Sequence, residues 1–196
     1  VTLKLTIGDT ISPTVLTQNV NLYLNQLGQV STSSLDVNNG SSDNCGITSY
    51  RLSDSIFDCT DVGTNTIYLI VTDRYSNIDS ASAVVTVQDT IKPTVLTQNV
   101  TVSLDASGAG SVTVADIDNG STDNCSIASR TLSKTSFDCS EVGANSIYLI
   151  VTDVNGNTDS ASAVVTVQDI IKPTVLTQNV TVSLDASGAG SVTVAD

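Results

Sequence analysis

The chain repeats itself, and that constrains its fold more than any other feature. The segment DTIKPTVLTQNVTVSLDASGAGSVTVAD beginning at Asp89 returns from Asp169 with one change, Thr90 becoming Ile170, and returns more loosely from Asp9. The interval is 80 residues each time, and single landmarks keep it: Pro13, Pro93 and Pro173; Cys45 and Cys125; Cys59 and Cys139; Asp73 and Asp153. A fixed period without insertions means one structural unit copied along the chain, each copy meeting its neighbours. On this frame residues 1–8 align with 81–88 and read as the last strand of a preceding repeat. Residues 9–88 and 89–168 are whole repeats, and 169–196 are the opening strands of a further one. So short a terminal piece buries too little apolar surface to stand alone, so it is expected to continue in a longer chain or to borrow strands from a neighbour.

Inside a repeat the apolar residues alternate. Val100, Val102 and Leu104 are followed by Val112 and Val114, then Ile147, Leu149 and Val151, then Ala163, Val165 and Val167. Period two is the signature of a strand with one covered face. Turn-forming clusters separate these runs: Ala-Ser-Gly-Ala-Gly at 106–110, Asp-Asn-Gly-Ser at 118–121 and Val-Asn-Gly-Asn at 154–157. Helix formers are scarce, with Glu141 the one glutamate and no methionine. About seven short strands per repeat predict an all-β chain of tandem immunoglobulin-like β-sandwiches. There is no room for the crossover helices that join parallel neighbours, so antiparallel pairing is expected throughout.

Net charge is −13, and the seven basic residues (Lys4, Arg51, Arg74, Lys92, Arg130, Lys134 and Lys172) are scattered. Such a surface repels phosphate backbones and anionic lipid, which argues against nucleic-acid and membrane partners. A divalent cation is the natural complement of excess aspartate, although acidity also serves solubility alone. No apolar run approaches the roughly 20 residues that span a bilayer. The expectation is that any secretion signal or anchor lies elsewhere in a parent protein.

Each repeat carries two cysteines fourteen positions apart, Cys45 with Cys59 and Cys125 with Cys139. An even count in small loop-rich units favours a disulfide within each repeat, contributing about 3 kcal/mol for a loop of that size. The alternatives are reduced thiols and a zinc site. Zinc is disfavoured by the absence of histidine and by a spacing unlike C-x2-C.

The sharpest site in the sequence is a candidate calcium centre. Asp153, Asn155, Asn157 and Asp159 fall at alternate positions around one turn, Asp89 sits at the linker and Asp123 leads into Cys125. Hard cations take six to eight oxygens from such loops. If linker and hairpin turn meet at a junction, one ion would stiffen the array. The competing reading is that Asp, Asn and Gly are simply what tight turns need. In the first repeat Tyr75 and Ser76 replace Asn155 and Gly156, so its last hairpin turn is expected to be built differently. The Ile-Lys-Pro linker is stiff on its own, since proline fixes its φ and extends the residue before it. Catalysis has little support: without histidine no Ser-His-Asp or Cys-His arrangement exists, and the aspartates recur in every copy.

The strings Asp-Asn-Cys at 123–125, Phe-Asp-Cys-Ser-Glu-Val-Gly at 137–143, Val-Thr-Asp-Val-Asn-Gly-Asn at 151–157 and Val-Gln-Asp-Thr-Ile-Lys-Pro-Thr at 87–94 together resemble the hyalin repeat (HYR) family. They are most similar to its tandem form on Bacteroidetes surface adhesins exported by the type IX system. The resemblance implies an extracellular, non-enzymatic stalk or spacer of a surface adhesin or fibre. It also implies O-glycosylation at Asp-Ser/Thr followed by an apolar residue, which points to Thr10, Ser55, Ser80, Thr90 and Ser160. Direct binding of a glycan or receptor is the rival role, weakened by an aromatic content of 4%. Partners are then neighbouring repeats of the same chain, and identical molecules if residues 1–8 and the segment from Asp169 complement one another head to tail.

Overall fold

Alternating apolar residues become strands where the pleat has one face to cover, and each repeat supplies two such layers. The computed structural model describes residues 2, 3 and 7–193. In the first repeat β1 (Val20–Tyr23) and β2 (Gln29–Ser31) precede a one-turn helix α1 (Ser34–Val37), followed by β3 (Ile47–Leu52), β4 (Ile56–Asp58), β5 (Gly63–Asp73) and β6 (Ile78–Gln88). The second repeat has the same elements: β7 (Val100–Ser103), β8 (Ala109–Ser111), α2 (Val114–Ile117), β9 (Ile127–Leu132), β10 (Ser136–Asp138), β11 (Gly143–Asp153) and β12 (Thr158–Gln168). A four-stranded sheet in the order β1-β6-β5-β3 faces the pair β2-β4, and β7-β12-β11-β9 faces β8-β10. Outside these strands, isolated antiparallel bridges join Thr14 to Ser42 and Thr17 to Asn38, with counterparts Thr94–Thr122 and Thr97–Asp118.

The fold is thus all-β, and each repeat has its own core. Ile67, Leu69, Val71, Val85 and Val87 line the large sheet of the first and pack with Leu24, Val37 and Phe57. Ile147, Leu149, Val151, Val165 and Val167 do the same in the second with Leu104, Ile117 and Phe137. Each fully buried aliphatic side chain contributes about 1.5–3 kcal/mol, so these clusters supply the main drive to fold.

Four expectations change. β1 pairs with β6 in parallel, Val20 opposite Val85, and β7 pairs with β12 likewise. No crossover helix is needed because these are the first and last strands of a repeat, and the whole sandwich forms the return path. Val114 opens α2 instead of continuing a strand. The reason is local: the Asp116 carboxylate accepts the Thr113 backbone N–H and hydroxyl, both at 2.7 Å, and Asp36 serves Ser33 in the same way. This turn drives Ile117 and Val37 fully into the cores. Residues 169–193 form no strand, although the Asp185–Gly188 turn keeps its hydrogen bonds. Of residues 1–8, the described positions 2, 3, 7 and 8 carry no strand, and 1 and 4–6 lie outside the described residues.

The fourth change concerns the last hairpin turn, which is the same in both repeats. Asp153 Oδ1 accepts the N–H groups of Asn155 and Asn157 at 2.8 Å, and Asp73 Oδ1 accepts those of Tyr75 and Asn77 at 2.8 Å. The price falls on Ser76, which takes φ +71° where Gly156 has +93°. A left-handed conformation costs a side chain about 1–2 kcal/mol, partly offset because glycine loosens the unfolded chain. Ser76→Gly is therefore expected to stabilise the first repeat by about 0.5–1 kcal/mol, seen as a higher urea midpoint at unchanged m-value.

Hydroxyl donors hold several turn carboxylates below their ordinary range: Thr113 acts on Asp116, Ser33 on Asp36, Ser107 on Asp105 and Ser140 on Asp138. A depressed folded pKa contributes stability that is fully present above the unfolded value near pH 4 and is lost as pH falls through the lower folded value. This contribution should be lost between about pH 4 and 2, seen as a falling melting temperature over that range. Thr113→Val should lessen that acid loss.

Candidate metal centre and inter-repeat disulfide

The long β11 carries Asp153 to the end of the second repeat that faces the first, where the linker residue Asp89 and the loop residue Asp123 also arrive. One carboxylate oxygen from each lies within 4.8 Å of the others. Asp89 is 8% exposed and Asp153 2%. The turn fixes Asp153 through the two N–H bonds already described and through Asn157 Nδ2 at 2.7 Å. The same Asn157 amide lies 3.2 Å from the Asp89 carbonyl oxygen, which ties linker to hairpin. Asp123 Oδ2 accepts the Cys125 N–H at 2.9 Å, while Asp89 Oδ1 accepts from Ile91 N–H and from Asn124 Nδ2.

These bonds leave three buried oxygens with no protein donor: Asp89 Oδ2, Asp123 Oδ1 and Asn124 Oδ1. Neither ion pair found among the described residues, Arg130–Asp118 or Lys134–Glu141, reaches them. Three anionic groups gathered without a countercharge are costly, and an oxygen-only donor set at loop termini suits a hard cation. The residues therefore fit a hard cation such as calcium, which Asp89, Asp123, Asp153 and the Asn124 amide oxygen would hold.

Of the six sequence candidates, the structure gathers Asp89, Asp123 and Asp153. Asn157 buttresses two of them through its amide. Asn155 lies in the turn with its Nδ2 unpartnered. Asp159 is exposed on β12, where it accepts the Ser160 N–H at 2.9 Å, and stands apart from the cluster.

Two features were missed. One is Asn124, beside the cysteine. The other is a second cluster, Asp9, Asp43 and Asp73, with Asp9 Oδ2 and Asp43 Oδ1 unpartnered. Subtracting the period from the first set would have found it. The replacement of Asn155 by Tyr75 does not dismantle it, because Asn77 still bonds Asp73 Oδ2 and the Asp9 carbonyl. The Ile11 N–H holds the Asp9 carboxyl below its usual range, and Asp9 in turn pushes the Cys45 thiol up.

The disulfide pairing is corrected. Cys59 bonds Cys125, 66 positions away, with Cα atoms 5.4 Å apart, and Cys45 and Cys139 are free and exposed. Pairing within a repeat is geometrically barred. Cys45 lies by Asp73 at the end of β5, through Ile47 opposite Asp73, whereas Cys59 precedes Gly63 at its start. An eleven-residue strand separates them by roughly 30 Å, and a disulfide tolerates less than about 7 Å between Cα atoms. The bond instead crosses the junction. Asn124 Nδ2 reaches the Asn25 carbonyl at 3.5 Å, and both bonded cysteines pack on the first core. Gly28 makes room: a Cβ there would lie 2.6 Å from Cys59 Sγ and 2.8 Å from the Asn124 carbonyl oxygen. Beside this contact a recess of about 560 Å³ runs between Val62, Val87, Asp89, Val154 and Asn155.

The five glycosylation candidates all lie near the surface. Thr10, Ser80, Thr90 and Ser160 are exposed, and Ser55 is half-buried. Among the described residues no helix is long and apolar enough to cross a membrane.

No family model matches the chain, and no curated protein does. Solved structures with some likeness include human Protocadherin-24 EC1-2, with 12% identity and TM-score 0.42, covering 82% of this chain and 100% of that one. Mouse Cadherin-23 EC22-24 gives 15% and 0.38, covering 81% and 65%. The Protocadherin Gamma B7 extracellular cadherin domains 1-4 give 13% and 0.37, and this chain spans about half of that one, 51%. Scores this low carry no argument, and the fold class rests on the sheets themselves.

Proposed function

We propose that this chain is a segment of a structural stalk on the outside of a cell, built from hyalin-like sandwich repeats at 9–88 and 89–168, that holds an adhesive element at a distance. The observation that carries this reading is the junction. There a disulfide, a buried acidic cluster and a proline-bearing linker meet within a few residues and fix one repeat against the next. Nothing in a catalytic or small-ligand role asks for such a joint, whereas a spacer must resist bending. Calcium is proposed at both clusters, where it would neutralise the carboxylates and lock linker to hairpin. Thr10, Ser55, Ser80, Thr90 and Ser160 are proposed O-glycosylation sites, and the chain is proposed to lack enzymatic activity.

A second reading has an observation of its own. Tyr68 and Tyr148 are 50% and 52% exposed on the outward faces of β5 and β11, one period apart, and rings so placed suit a glycan face. Glycan-array binding and small-angle scattering on the same oxidised, calcium-loaded chain separate the two. A stalk gives a fixed end-to-end repeat spacing and no saturable glycan. Binding lost in Tyr148→Ala would favour the adhesive module.

A further inference from the structure

The two unpaired cysteines sit in half-built copies of the bonded junction. Cys139 Sγ lies 3.8 Å from the Gly108 carbonyl oxygen, as Cys59 Sγ lies 3.7 Å from that of Gly28. At Gly28 an added Cβ would strike both the cysteine and Asn124, whereas at Gly108 it would meet Cys139 Sγ at 2.7 Å and nothing else within 4 Å. The space that Asn124 and Cys125 fill in the first case is, in the second, a recess of about 330 Å³ bordered by Asp105, Gly108, Cys139, Asp169 and Pro173.

The opposite half is equally complete around Cys45. Asp43 Oδ2 accepts the Cys45 N–H at 2.8 Å as Asp123 Oδ2 accepts that of Cys125 at 2.9 Å, and Asn44 Nδ2 lies 3.3 Å from the sulfur. Each end of the described pair thus presents the surface that its period-shifted counterpart uses inside the chain.

We propose that Cys139 forms a disulfide with the cysteine of a following repeat that stands where Cys125 stands, and that Cys45 serves a preceding repeat in the same way, so that every junction carries one covalent staple. This rests on reading the chain as part of a longer array. Bond formation joins the two sulfurs and releases two protons and two electrons. A small-molecule disulfide such as oxidised glutathione takes these up and leaves as two thiols.

Thiol titration tests it. The chain as it stands, oxidised and then denatured without reductant, should show two thiols. Appending a second copy of residues 117–168 after Asp196 completes a third repeat and raises the cysteines to six. After oxidation with glutathione the count should still be two, and non-reducing peptide mapping should link Cys139 to the added copy of Cys125. Four thiols with a protease-resistant third repeat would overturn the staple while leaving the array reading intact. Four thiols with the third repeat digested would overturn both. A link between Cys139 and a cysteine of its own repeat would also sink the proposal.

Discussion

Calcium at about a hundredfold excess over its dissociation constant should raise the melting temperature of the chelator-treated chain by roughly 10–20 °C. Binding confined to the folded state contributes about 2.7 kcal/mol at that excess, and each kcal/mol moves a domain of this size by about 4–8 °C. The same three carboxylates that would hold the ion repel one another without it. At an effective dielectric of about 20, unit charges 4.8 Å apart oppose each other by several kcal/mol. Asp123→Asn keeps an acceptor for the Cys125 N–H but removes two of the three repulsions. Two opposite effects are expected of it: the second repeat becomes more stable in chelator, by about 1 kcal/mol or more, and its calcium response disappears. A destabilised chelated variant, together with a wild-type melt indifferent to calcium, would reduce the cluster to ordinary turn chemistry.

Cys59→Ser or Cys125→Ser should cost about 4 kcal/mol, the chain-entropy value for closing a loop of 66 residues. Cys45→Ser and Cys139→Ser should each stay within about 0.5 kcal/mol of the parent, as surface changes usually do. Pairing within each repeat would instead make all four substitutions costly and alike. Urea denaturation of the four variants, with the parent measured in and out of reductant, reads this asymmetry directly. Equal losses in all four would reject the crossed bond.

Both predictions turn on junction geometry, and this is where reading the sequence stopped short. The alternation at Ile147, Leu149 and Val151 was legible because a covered pleat imposes period two wherever it occurs. Asp89, Asp123 and Asp153 could be named as loop-borne oxygen donors, and the fold brings their carboxylates together. Which cysteine meets which was not, since spacing along the chain says nothing of which end of a long strand each residue occupies. β5 sends Cys45 and Cys59 to opposite poles, and the copy next door then becomes the nearer partner. The turn at Val114 hid for another reason. A single helical turn leaves no periodic trace, and its only mark is a hydroxyl residue three positions before Asp116.

The parallel contact between the first and last strands of each repeat determines how the molecule meets a pull. Tension applied through the two linkers drags β7 and β12 in opposite senses along their shared line of hydrogen bonds, from Val100–Val165 to Ser103–Gln168. The load falls on all of those bonds at once, in shear, where a hairpin arrangement would let them peel apart one by one. A string of such units resists being drawn out until a whole clasp gives way.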